Sequence, residues 1–159
     1  SKKALEFASA SLTRTETVLK MVQKPVLSVG LDENLTLCVR NIGPAAAESL
    51  KGYYRILYDN QGIVAEGESG FFKQTLDTDQ SMRLRTMLTV PLKDPRMGFL
   101  FFVVRIDSPS LAKNCVRIFY KNLTDNAPVW SEADSDLWNL AEPHRQTITR
   151  ELREMDLKF

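Results

Sequence analysis

The sequence predicts a β-sandwich of about seven or eight antiparallel strands with a helical segment at each end. Three observations lead there. Residues 35–40, LTLCVR, place Leu35, Leu37 and Val39 on one side and Thr36, Cys38 and Arg40 on the other. Side chains leave a pleated backbone alternately, so this is the pattern of a strand with one buried face. Similar runs recur through residue 122, separated by clusters of Gly, Pro, Asn and Asp that suit turns. On both flanks the apolar spacing changes to three and four, the helical period.

With 159 residues, 43% hydrophobic and 26% charged, the chain is long enough for one domain with its own core. It divides into a helix over 1–24, strands over 25–130 and a helical segment over 131–159. In the first part Leu5, Ala8, Leu12, Thr15, Leu19 and Val22 form a single apolar seam. Such a seam packs on the parent domain or, alternatively, on another chain, which makes Leu5, Leu12 and Leu19 interaction candidates. Pro25 ends the helix, because it lacks an N–H and disfavours helical angles at Lys24.

Strands are expected over 26–31 and 35–40, joined by the polar turn Asp32-Glu33-Asn34. Asn41-Ile42-Gly43-Pro44 stops the second strand: glycine accepts left-handed angles and proline withdraws a ladder donor. Three alanines then let the chain pass close to its neighbours. Residues 52–59 and 63–66 read as a hairpin around Asn60-Gln61-Gly62, and 71–76 as a further strand. After the polar link 77–81, Met82, Leu84, Leu88 and Val90 oppose Arg83, Arg85, Met87 and Thr89, so one strand is expected across 82–90.

Residues 98–107, GFLFFVVRID, are apolar on both parities as far as Arg105, the pattern of a central strand covered on two faces. Leu100, Phe102, Val104 and Ile106 are assigned to the sandwich core. Phe99, Phe101 and Val103 then need a second cover, from the terminal helices or from a partner protein, and are interaction candidates for that reason. Over 114–122, Val116, Ile118 and Tyr120 oppose Cys115, Arg117 and Phe119. Cys38 and Cys115 thus each share a side with an arginine, away from the core aliphatics, and both are expected as free thiols.

Ser131-Glu132-Ala133-Asp134-Ser135-Asp136 supplies hydroxyls and acids ahead of a helical apolar stripe, as a helix N-terminus does. That stripe runs through Leu137, Leu140, His144, Ile148, Leu152 and Met155, and Pro143 splits it, starting the longer helix near Glu142. Trp130 and Trp138 flank its beginning and are expected to pin it to the sandwich, with partner anchoring as the alternative role.

Little catalytic chemistry is legible. There is one histidine, His144, on the apolar stripe, and no G-x-S-x-G, CxxC, Walker or dinucleotide turn accompanies it. No catalytic, cofactor-binding or metal-binding residue is assigned, no cofactor is expected, and the chain is read as a non-enzyme. The 21 Lys and Arg against 20 acids leave a net charge of +1, too weak a field to recruit nucleic acid. No apolar run approaches the roughly 20 residues that cross a bilayer. The chain opens directly in helix-forming sequence, so an upstream segment is expected to have preceded Ser1.

The basic amphipathic helix, then Lys24-Pro25-Val26-Leu27-Ser28-Val29, then residues 35–46 with Asn41-Ile42-Gly43-Pro44-Ala45-Ala46, resemble a type of bacterial membrane-anchored protein. In those proteins a transmembrane helix and a short stalk precede an immunoglobulin-like domain with an Asn-x-Gly…Ala signature after its second strand. The link 76–81 before an alternating strand is similar to that of immunoglobulin-like adhesion and accessory modules. The resemblance covers residues 20–90 and departs at the helical region from Ser131. It implies an immunoglobulin-like sandwich near a membrane; Lys2, Lys3, Arg14, Lys20 and Lys24 against Glu6 and Glu16, beside a transmembrane helix expected upstream, prefer the cytoplasmic face, with the periplasmic side as the alternative. For a sandwich without visible chemistry the expected role is interaction or scaffold, through a protein partner or self-association of the terminal helices. The competing expectation is a ligand- or carbohydrate-binding module using Tyr53, Tyr54, Tyr58 and the tryptophans.

Overall fold

Alternation sets the strand registers. A computed structural model describes residues 23–59, 61–68 and 75–158; the N-terminal seam with Leu5, Leu12 and Leu19, and most of the strand expected at 71–76, lie outside the described residues. The elements are β1 Leu27–Leu31, β2 Thr36–Asn41, β3 Lys51–Tyr58, β4 Gly62–Glu68, β5 Ser81–Arg85, β6 Phe99–Asp107, β7 Cys115–Asn122, β8 Ser131–Glu132 and α1 Glu142–Lys158. They form a small sheet in the order β1-β2-β5 and a large one in the order β4-β3-β6-β7-β8. All of the pairings are antiparallel.

The sheets share an apolar core. Leu27, Val29, Leu37, Val39 and Met82 from the small sheet meet Ile56, Val64, Phe102, Val104, Ile106 and Phe119 from the large one. The opposite face of the large sheet carries a second core, in which Leu57, Phe101, Val103 and Ile118 pack against Leu140, Ile148 and Met155. β6 therefore lies between two apolar layers, which explains its lack of alternation.

The break after β2 is organised by Asn41, which is fully buried. Its Oδ1 accepts the N–H groups of Val26 at 3.3 Å and Gly43 at 3.0 Å, while its Nδ2 donates to the carbonyls of Ala45 at 2.7 Å and Leu76 at 3.0 Å. Gly43 has a different reason from the expected left-handed angle. A Cβ there would stand 2.4 Å from Val26 N and 2.6 Å from Lys24 O, so the incoming chain can pass only over a glycine.

Several expectations are corrected. The strand expected across 82–90 ends at Arg85. Thr86 is buried and bonds Leu35 O, and the amides of Thr89 and Val90 then reach Val64 O, carrying the chain from the small sheet to the edge of the large one. Ser131–Glu132 is a short strand on β7, in place of a helix start. Leu137 adopts a left-handed φ of 60°, which a helix does not accept, so the stripe before Pro143 forms no helix, while α1 begins at Glu142 as expected, with Pro143 in its first turn where no amide partner is needed. Cys115 packs against the inter-sheet core beside Phe119, because Ile118 and Tyr120 are the side chains turned to the helix layer. Cys38 and Cys115 are both free thiols. Trp130 also joins the inter-sheet core, edge-on to Phe102 with centroids 6.4 Å apart, and does not contribute to the helix-covered core.

Candidate interaction surface on the C-terminal helix

The inner side of α1 closes the large sheet. Phe101 and Val103 are fully buried and Phe99 partly so. The His144 ring, on the apolar stripe, packs against Phe99 at 4.4 Å and Phe101 at 5.2 Å between centroids. The three candidates on β6 are thus occupied by this chain's own helix.

A cluster of charges lies beside this apolar contact. Arg55, 3% exposed, donates to Glu151 and to Glu154 at 2.9 Å on α1, and to the Tyr53 hydroxyl at 3.0 Å. Its other cationic nitrogen lies 3.3 Å from Glu66, which also accepts from Tyr53 at 2.6 Å. Burial alone pulls the Arg55 pKa down, but the hydrogen bonds to Glu151, Tyr53 and Glu154 outweigh it, so the guanidinium is held more firmly charged than usual. On the neighbouring strand Arg105 pairs with Asp156 of α1 and, at 3.2 Å, with Asp107. Two arginines from adjacent strands therefore fix the helix along its axis.

Sequence reasoning missed Arg55. Its partners on α1 stand 96 and 99 residues away, and only its odd-numbered parity with Tyr53 and Leu57 hinted that it faces a covered side.

The outer side of α1 is presented to solvent. Trp138 is 72% exposed, and the Arg145 guanidinium lies over its ring at 5.0 Å from the centroid. A groove of about 630 Å³ runs from Trp138 along Arg145, Gln146, Thr149, Arg150 and Arg153. Trp138 thus stands away from the core, in contrast to the pinning role expected of it.

The other basic residues do not gather. Arg83 and Arg85 lie on the outer face of the small sheet, opposite Cys38 and Thr36, whereas Arg117 belongs to the large sheet and pairs with Glu132 at 3.4 Å. Burial pushes the Cys115 thiol up, Arg117 pulls it partly back and Glu132 adds to the rise, which makes it a poor nucleophile. Among the described residues no three His, Cys, Asp or Glu side chains are grouped to hold a metal ion, and no helix is long and apolar enough to cross a membrane.

No protein-family model matches the chain, and a search of curated proteins finds no match either.

Proposed function

We propose that this chain is a non-enzymatic interaction or scaffold domain of a membrane-associated bacterial protein, built as an immunoglobulin-like sandwich. The observation that carries the reading is Trp138, a large aromatic held out in solvent beside a helix that ion pairs to the buried Arg55 fix to the sheet. Exposed tryptophan and arginine on a rigid support are the residues that dominate protein interfaces. The immunoglobulin-like assignment is supported by the strand orders: the first, second and fifth strands form one sheet, and the third, sixth and seventh are neighbours in the other. Placement at a membrane rests on the resemblance of residues 20–90.

The carbohydrate-binding alternative loses its tyrosines. Tyr53 and Tyr58 are buried, and Tyr54 stacks on Phe102 with centroids 5.6 Å apart.

The test is photo-cross-linking in bacterial cells expressing the full chain with Trp138 replaced by benzoylphenylalanine. A discrete adduct in the membrane fraction is the expected result. A folded chain that forms no adduct from position 138, nor from position 150, ends the interaction reading.

A further inference from the structure

We infer that the solvent face of α1 docks an acidic segment of a partner protein, with Trp138 as the anchor and Arg145, Arg150 and Arg153 as carboxylate receivers. This rests on the interaction reading above and adds the chemistry of the partner.

The outward pose of Trp138 is built into the backbone. Leu137 takes a left-handed φ of 60°, which strains any residue with a Cβ. The result is that Leu137 turns into the helix-covered core while its neighbour turns out. The Asp134 carboxylate fixes the turn by accepting the Trp138 amide at 2.8 Å. The indole is then half of a cation–π pair with Arg145, which orders both side chains before a partner arrives.

Charge identifies the partner. Three arginines line the groove against one acid, Glu142, which lies 4.0 Å from Arg145. Arg150 and Arg153 are three positions apart on α1, and neither makes an ion pair among the described residues. Like charges at that spacing repel slightly in the free helix, and a carboxylate bridging them converts the repulsion into attraction. An anionic bilayer satisfies the arginines less well. Asp134 bonds the Trp138 amide and Asp136 lies two residues before it, both exposed, so a flat negative surface pressed on the indole also meets like charge. Neither acid lines the groove, where a narrow acidic segment meets Glu142 alone.

The probe is a fluorescein-labelled peptide of alternating glutamate and leucine, long enough to follow three helical turns, about 16 Å. Binding to the full chain is read by anisotropy and by the emission of Trp138, with Trp138→Phe to isolate that signal from Trp130. The expected result is saturable binding that weakens about tenfold or more in Arg150→Glu/Arg153→Glu and in Trp138→Ala, the scale of one interfacial hot spot. Arg83→Glu/Arg85→Glu, which removes the same charge from the small sheet, is expected to bind as the unaltered chain does. All these side chains are exposed, and equal thermal midpoints confirm intact folding. Absence of binding overturns the proposal, as does an equal loss in the small-sheet variant. So does a shift of Trp138 emission by phosphatidylglycerol vesicles with none by the peptide. A cross-link from position 138 without peptide binding leaves the interaction reading standing and removes only the acidic partner.

Discussion

The two faces of β6 bury their side chains by different means. Toward the small sheet, Phe102, Val104 and Ile106 meet an apolar layer whose polar centre, Asn41, bonds only backbone groups and Gly43, Val26, Ala45 and Leu76 complete its set. Toward α1, Phe101 and Val103 meet apolar residues bordered by a buried guanidinium and carboxylates from a distant helix. Hydrophobic burial holds both layers, but it is indifferent to the sliding of one smooth surface over another. Backbone hydrogen bonds fix the position of the small sheet, whereas α1, which has no ladder to the sheet, is fixed by point charges. The difference teaches that the ionic cluster sets the register of the helix more than its affinity for the sheet.

The largest expected effect breaks the first side of this comparison. Asn41→Leu orphans the Val26 and Gly43 amides and the Ala45 carbonyl at once, and leaves Leu76 O with the Ala47 amide alone, so urea unfolding should show a loss of about 4 kcal/mol. On the helix side, Arg55→Met strands the buried Glu151 carboxylate and is expected to cost about 3 kcal/mol in the same measurement. Adding Glu151→Leu to that variant should return most of the stability, because the apolar contact survives. If the double variant stays as unstable as the single one, the ion pair supplies affinity as well as register. The smallest effect concerns pH. Burial raises the Cys115 pKa in the folded state, so below the free-thiol value of about 8.5 both states keep the proton and stability is full. Above it the unfolded chain ionises first, and stability falls as pH climbs through the folded value. Cys115→Ala should flatten this decline above about pH 8.5. In the native chain a thiol reagent should likewise label Cys38, on the outer face of the small sheet, before Cys115.

Much of the inter-sheet core was legible because period-two alternation depends only on neighbours in sequence. Leu37 and Val39 on β2, the double-sided apolar run of β6 and the helix start at Glu142 all follow from local rules. The departures arise where a distant group decides. Residues 82–90 alternate throughout, yet the chain leaves the small sheet after Thr86, whose amide still bonds Leu35 O, because Val64 O then accepts the amides of Thr89 and Val90. Parity turned Cys115 outward, since Arg117 on the same side looked solvated and its partner Glu132 lay on a strand, β8, too short to announce itself. The candidate surface was half legible. Trp138 stood out by its type, but the direction it takes depends on the left-handed Leu137, for which the sequence carries no mark.

The junction at Asn41 also has a mechanical meaning. Tension on the leader before Val26 reaches the sheet at the hydrogen bonds from Ile42 N to Val26 O, 2.8 Å, and from Val26 N to the Asn41 side chain. Both lie at one end of the β1–β2 ladder, where Leu27 faces Asn41, so a pull along the leader peels that ladder from its first rung. Asn41 is the bolt at that rung, and because it also grips Ala45 and Leu76, the load passes to three separate stretches of chain before any strand begins to move.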